Sequence, residues 1–357
     1  MNKERLLHSV VVWYTVTGEE ADPMSYSIIP ITKRNRQGMK QIESLLTRSG
    51  LRLDAHLDYT CAMLDSDGSI AATGSCFGNT LRCIAVSGER QGEGLLGPLL
   101  THLIQVQYGR GNYHLFLYTK SHTAKYFRDL GFHEIAQAGE TMTFMENRKT
   151  GFSRYLDALG LTRREGQSAA IVMNANPFTL GHMHLAERAA SENDTVHIFV
   201  VSEDASEFPF AVRWRLVQEG TAHLSNVVCH KSGPYIISRA TFPSYFLPDA
   251  AAAAEGQARL DLAVFCRIAQ ALGVTRRYVG EEPVSQVTNL YNTVMASELP
   301  KAGIACIIVP RKEWDGGVIS ASTVRRCLRE GRMEELERLA PPSTLAYLRS
   351  AQADWEG

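Results

Sequence analysis

Apolar positions along the chain fall into two textures. In the first 145 residues or so, short β-rich runs at Thr60–Leu64, Ile70–Ser75, Leu81–Val86 and His114–Tyr118 alternate with helical spacing at Leu95–Val106 and Ala124–Leu130. Turn residues separate them: Asp67-Gly68, Gly78-Asn79, Gly109 and Gly111, and Gly131, after which Phe132-His133 opens a further strand. From Ala169 the texture becomes strand, glycine-bearing turn, helix, strand. Ala169–Met173 is an apolar run, Leu185–Ala190 lies on a helix and Val196–Val201 is β-rich. Further apolar runs stand at Asn226–Cys229, Tyr278–Gly280 and Ile304–Val309, and Ala250–Ala254 reads as a helical start. This alternation predicts a parallel sheet with right-handed crossovers, which takes its ligands at the carboxyl ends of the strands.

A chain of 357 residues exceeds the size at which one core usually keeps growing, so two domains are expected. The change of texture lies between Glu146 and Gln167. There Arg148-Lys149 and Arg163-Arg164-Glu165-Gly166 flank a short amphipathic piece, Phe152–Leu159. The expected organisation is α/β throughout: a mixed domain over 1–147, a connection with one short helix over 148–167, and a Rossmann-like parallel-sheet domain over 168–350. Composition adds mainly exclusions. With a net charge of −1 and no basic block, nothing suggests nucleic acid. The seven cysteines are dispersed and form no C-x-x-C pair, so reduced thiols are expected rather than zinc or a disulfide framework. The early charges Lys3, Glu4 and Arg5 precede an apolar stretch that His8 breaks, which does not read as a secretory signal. No apolar run approaches the length of a membrane span, so a cytoplasmic protein is expected.

The densest chemical signal is Asn174-Ala175-Asn176-Pro177-Phe178-Thr179-Leu180-Gly181-His182-Met183-His184. Pro177 and Gly181 shape a turn into a helix, whose free N–H groups and positive dipole end suit an anion. Thr179 and His182, three apart, can face one pocket. A second such start is Ile319-Ser320-Ala321-Ser322-Thr323-Val324-Arg325-Arg326, preceded by Gly316-Gly317. Ser320 makes a good N-cap, and Arg325 lies one turn into the helix, where a guanidinium suits phosphate.

These two stretches resemble the paired signatures of the nucleotidylyltransferase superfamily, threonine or histidine-x-glycine-histidine and a downstream I-S-S-x-x-x-R or K. Ala321 stands where a second serine is common. The resemblance implies ATP held by Asn174, Asn176, Phe178, Gly181, Ser320, Ser322 and Thr323, catalysis by Thr179, His182 and Arg325, and Mg²⁺ on the phosphates with few protein ligands. The run Ile171–His182 is further similar to the citrate lyase ligase family. So are Gly233-Pro234-Tyr235-Ile236-Ile237-Ser238, Ala240-Thr241-Phe242-Pro243-Ser244-Tyr245-Phe246 and Val279-Gly280-Glu281-Glu282-Pro283. That family implies ATP-dependent acetylation, with acetate, of the prosthetic-group thiol on the citrate lyase acyl carrier subunit, releasing AMP and pyrophosphate. Acetate attack on the α-phosphorus needs positioning and charge stabilisation rather than a base, because the carboxylate is already ionised.

In the front half, Glu89-Arg90-Gln91-Gly92-Glu93-Gly94-Leu95 follows a strand and opens a helix. It resembles the pyrophosphate loop of the GNAT acetyltransferase superfamily, with Glu89 where glutamine or arginine is usual. The later Lys125–Phe132 resembles that superfamily's final helix and strand. Gln91, Gly92 and Gly94 are therefore expected to hold a CoA-like prosthetic group.

Plainer readings stand beside these. Gly92 and Gly94 make an ordinary turn; Ser320 is only a cap; Asn174 and Asn176 satisfy turn backbone. His184 is a bystander, and Arg213 and Arg215 lie on a solvated helix face. Glu281-Glu282 is a loop pair, Tyr291-Asn292 packs its helix, and Tyr235, Ser238 and Ser244 pack loops. Two other functions also remain open: an adenylyltransferase acting on phosphopantetheine or nicotinamide mononucleotide, and a nucleotide- or carrier-binding module without turnover.

Overall fold

The structure, a computed structural model, describes residues 26–203, 206–236, 242–247, 249–281, 286–314 and 317–355. The first sheet has strands β1 (Ser27–Pro30), β2 (Tyr59–Leu64), β3 (Ile70–Phe77), β4 (Thr80–Val86), β5 (Phe116–Thr119), β6 (His133–Ala138) and β7 (Met142–Glu146), in the order β1-β2-β3-β4-β5-β7-β6. Neighbours run antiparallel except β4 and β5, which are parallel and pair only at Thr80–Phe116 and Leu81–Leu117. Beyond that point the two strands part. Side chains alternate across the sheet as strand geometry demands. Ala62, Phe116 and Phe144 face one side with α1 (Arg36–Arg48), while Cys61, Met63, Leu117 and Met145 face the other with α2 (Leu96–Gly109) and α3 (Ala124–Asp129).

After α4 (Gly151–Gly160), the second sheet takes β8 (Ser168–Met173), β9 (Thr195–Val200), β10 (Val227–Lys231), β11 (Val274–Gly280) and β12 (Ala305–Val309), all parallel, in the order β10-β9-β8-β11-β12. Its crossovers carry α5 (Leu180–Glu192), α6 (Phe210–Thr221), α7 (Ala250–Leu272) and α8 (Gln286–Glu298). A small hairpin, β13 (Glu313–Trp314) and β14 (Gly317–Val318), leads to α9 (Ala321–Arg329), α10 (Met333–Leu336) and α11 (Pro342–Trp355). The strand order reverses at β8, so the loop after β8 lies at the switch point.

The two sheets share one buried core. Ile42, Leu45, Phe116 and Phe144 of the front half join Phe152, Tyr235, Phe246, Leu262 and Phe265 behind. Helix α7 lies on the front sheet so closely that a Cβ at Gly256 would stand 2.6 Å from the Met142 methyl. Arg52 ties the halves together again: its backbone N–H donates to the Tyr245 carbonyl (2.7 Å) and Nη2 to the carbonyls of Ser244 (3.0 Å) and Leu247 (2.9 Å). Buried Glu146 accepts from the Phe152 N–H (2.7 Å) and the Tyr235 hydroxyl (3.1 Å), and pairs with His114 (2.5 Å). Tyr235 and Ser244 thus pack the junction, the plainer of the two readings given to them.

Several elements differ from the periodicity reading. β1, α1 and β7 were not expected, and β11 begins at Val274, before the predicted Tyr278. The polar Thr275-Arg276-Arg277 hides the start of β11; Arg277 is nonetheless buried, its guanidinium carbon 4.1 Å from the Phe265 ring centroid. All seven cysteines are free. No helix among the described residues is long and apolar enough to cross a membrane.

Candidate nucleotide site at two helix starts

The loop after β8 ends at Thr179, which caps α5. The Thr179 hydroxyl accepts from the His182 N–H (3.3 Å), and the Thr179 N–H donates to His182 Nδ1 (3.1 Å), closing a reciprocal capping box. A backbone N–H can only donate, so Nδ1 is the acceptor and the imidazole proton sits on Nε2, free to donate outward. Burial, and then the charge of Arg311, push the His182 pKa down to about 4. The ring is therefore a neutral donor at pH 7. Thr179 itself is buried and its hydroxyl is used in the cap, so it orients His182.

The second start is built in the same way. Ser320 caps α9, its hydroxyl accepting from the Thr323 N–H (3.1 Å) and standing 2.9 Å from both the Ser322 and Thr323 hydroxyls. The two starts meet. A Cβ on Gly181 would lie 2.9 Å from the Ile319 carbonyl, so only glycine permits this approach. Arg325 Nη1 donates to the Asn176 carbonyl at 2.5 Å, and its Nε lies 3.4 Å from a Glu207 carboxylate oxygen. The Leu180 N–H donates to the Leu339 carbonyl (2.9 Å), fixing α5 against the C-terminal helices. Two helix N-termini, a neutral imidazole N–H and a guanidinium thus border one space, an arrangement suited to a polyphosphate.

Some residues sit differently from expectation. The Phe178 side chain, expected at the nucleotide, is fully buried: it packs on Gly220, where a Cβ would come within 2.3 Å of the ring, and lies beneath His182 with centroids 5.7 Å apart. It supports the loop from below. Asn174 is exposed, its Nδ2 donating to Ser206 (3.0 Å), while Asn176 Oδ1 accepts from the Phe208 N–H (2.9 Å). Both therefore join this loop to the segment after β9.

The solvated reading of Arg213 is wrong. Arg213 is 0% exposed and donates to the carbonyls of Phe208 (2.9 Å), Asn174 (2.9 Å), Val201 (2.7 Å) and Glu203, and to Asn174 Oδ1 (2.9 Å). These acceptors lie in the segment just before α6 and in the loop after β8, and amphipathic spacing reveals neither contact. Arg215, by contrast, does lie on an exposed face beside Glu219. Arg311 was also missed; its Nε donates to the Glu281 carbonyl (2.5 Å) and its charge reaches His182. Asn292 Nδ2 bonds the Gly280 carbonyl (3.2 Å), a packing role. Ser238, Ala240-Thr241, Glu282-Pro283 and Gly316 lie outside the described residues.

The family model described as "Citrate lyase ligase C-terminal domain" matches residues 168–348. The citrate (pro-3S)-lyase ligase of Klebsiella pneumoniae is 39% identical over 321 residues, covering 88% of this chain and 94% of the relative. That of Escherichia coli K12 is 36% identical over 327 residues, covering 90% and 93%. The chain belongs to the citrate lyase ligase family. Among solved structures, a GNAT-family acetyltransferase from Staphylococcus aureus aligns with 35% of this ligase-family chain and 100% of its own, at 14% identity and a TM-score of 0.29. Pantothenate synthetase from Thermus thermophilus covers 47% and 65%, at 19% identity and a TM-score of 0.34.

In the front half of the ligase-family chain, Gln91 is exposed, and Gly92 (φ 91°) and Gly94 (φ 74°) take left-handed conformations with open space where a Cβ would stand. They sit just before α2, at the end of β4 that has parted from β5. The neighbouring Arg90 and Glu93 are engaged with each other at 3.4 Å, and Glu93 also accepts from the Tyr26 hydroxyl (2.5 Å).

Proposed function

We propose that this protein uses ATP to acetylate the prosthetic-group thiol of the citrate lyase acyl carrier subunit, through an acetyl-adenylate, releasing AMP and pyrophosphate. Membership of the citrate lyase ligase family supports the reaction class, and the contact of Gly181 with Ile319, braced by Arg325 on the Asn176 carbonyl, carries the site assignment. ATP lies across the starts of α5 and α9. Ser322, Thr323 and the α9 backbone hold the terminal phosphates; His182 Nε2–H donates to oxygens that gain charge as pyrophosphate leaves; Arg325 stabilises the same charge. Gly181 lets the chain approach the phosphates closely, while Asn174, Asn176 and Phe178 set the loop.

An acetate oxygen attacks the α-phosphorus and pyrophosphate departs, with no proton to remove. Thiol attack on the acyl carbon then releases AMP. Mg²⁺ would accompany the triphosphate, held chiefly by phosphate oxygens, and would offset the charge on the departing pyrophosphate. The loop of Gln91, Gly92 and Gly94 takes the phosphate end of the CoA-like arm. The test is product analysis. With ATP, Mg²⁺, acetate and the loaded carrier, the reading requires AMP, pyrophosphate and a carrier heavier by one acetyl group. A dinucleotide formed from phosphopantetheine or nicotinamide mononucleotide would favour the adenylyltransferase alternative instead.

A further inference from the structure

Thiol transfer needs something that adenylation does not. The thiol must lose its proton to become a good nucleophile, whereas acetate arrives ionised. At the two capped helix starts His182 is neutral with its Nδ1 already taken by the Thr179 N–H, and the Glu207 carboxylate is paired with Arg325.

One carboxylate at the carboxyl ends of the strands is unused. Glu203 follows β9, and both its carboxylate oxygens are buried with no hydrogen-bond partner among the described residues. Its backbone is pinned, the carbonyl accepting from Arg213 and the preceding Ser202 bonding Ser232 (2.9 Å) and Gly233 (3.0 Å). A buried carboxylate accepts hydrogen bonds and cannot donate them, so leaving it unsatisfied is expensive unless a proton donor arrives from outside the chain.

The direction in which Glu203 faces also matters. Among the charges acting on the buried Tyr118 hydroxyl are Arg82, Asp261 and Glu203; Arg311 is the charge that acts on His182. Glu203 therefore lies close enough to β5 of the front sheet for its charge to be felt at the Tyr118 hydroxyl. Tyr118 stands where β5 has parted from β4, its ring against Phe144 (4.5 Å between centroids) and Phe242 (5.8 Å). Glu203, on the loop after β9, thus lies towards the part of β5 that has left β4.

The geometry points to Glu203 as the general base that takes the thiol proton in the acyl-transfer half-reaction. The step balances. The S–H proton passes to the Glu203 carboxylate, the S–C bond forms, and the bond from the acyl carbon to the phosphate oxygen breaks, AMP leaving with that electron pair. This inference rests on the proposed acid–thiol ligase reading and adds the residue that its second step requires.

The test separates the two half-reactions in the full-length protein. Acetate-dependent exchange of pyrophosphate into ATP reports adenylation; transfer of labelled acetyl to the loaded carrier reports the thiol step. For Glu203→Gln, exchange is expected within about threefold of wild type, while transfer slows by about 10²–10⁴-fold, the usual contribution of a general base. Raising the pH towards a free thiol's pKa of about 8.5 should recover part of the loss, which a merely structural role would not do. Glu203→Asp, which keeps the charge, should fall between the two. The proposal is overturned if Glu203→Gln transfers acetyl at the wild-type rate. It is equally overturned if exchange falls in parallel with transfer, which would put the carboxylate on the nucleotide or its metal. Absence of acetate-dependent exchange in the wild type would instead sink the underlying ligase reading.

Discussion

Replacing Arg213 by methionine tests whether the nucleotide loops are held from inside. Methionine keeps most of the apolar stem but removes donors to the carbonyls of Phe208, Asn174, Val201 and Glu203 and to Asn174 Oδ1. Each hydrogen bond from a charged donor contributes about 1.5–3 kcal/mol, but the losses are not additive and water can reach exposed Asn174. Breaking a buried charged network of this kind typically costs about 3–5 kcal/mol. At about 2 °C per kcal/mol for a domain of this size, Tm should fall by about 6–10 °C. The freed segment also carries Asn176, whose carbonyl receives Arg325, so both helix starts lose alignment. A misplacement on the order of 1 Å slows a positioned reaction by about 10²-fold. The assay is acetate-dependent pyrophosphate exchange with a parallel melt. Exchange within about threefold and a melt within about 1 °C of wild type, as for an arginine on a solvated helix face, would refute the reasoning.

Further outcomes follow from the same geometry. His182→Ala should lower kcat for exchange roughly 10²–10³-fold with little change in KM for ATP; an unchanged kcat would remove the imidazole from the chemistry. Gly181→Ala puts a methyl 2.9 Å from the Ile319 carbonyl, an overpacking of about 1–3 kcal/mol, so calorimetry with a non-hydrolysable ATP analogue should show binding weaker by about tenfold or more. Unchanged affinity would mean that the two starts do not share the ligand. Burial holds the pKa values of His182, His197 and His230 down to about 4, below the unfolded value of about 6.5. The unfolded chain then binds more protons between those values, so stability must fall as pH drops from 6.5 towards 4, the neutral rings being favoured above that window. Urea titrations at pH 7 and pH 5 check the sign, and the double variant His197→Gln/His230→Gln should flatten the slope.

How much of this was legible depended on whether a signal was local. β9 is fully buried and β8 nearly so, both with apolar runs, and Thr179-Leu180-Gly181-His182 states its own cap, so the first helix start of the candidate site could be read from spacing. Helix α1 could also have been found, since Asn35 caps it and Ile42, Leu45 and Leu46 repeat at helical intervals. Arg213, Arg311 and Arg277 could not. Each is a basic residue held by a carbonyl or ring of another segment, Val201 for Arg213, Glu281 for Arg311 and Phe265 for Arg277, and its own position in a helical or strand pattern does not announce that partner. The shared core was hidden for a similar reason. The apolar face of α7 looks the same whether it covers its own sheet or, as here, reaches Met142 of the other.

The acyl-adenylate itself is tested most directly by oxygen labelling. When the protein is given ATP, the loaded carrier and acetate carrying ¹⁸O in its carboxylate, attack of an acetate oxygen on the α-phosphorus must leave one labelled oxygen in the AMP. Mass spectrometry of that AMP should therefore show one ¹⁸O per molecule. Unlabelled AMP, or label recovered in pyrophosphate, would contradict the account.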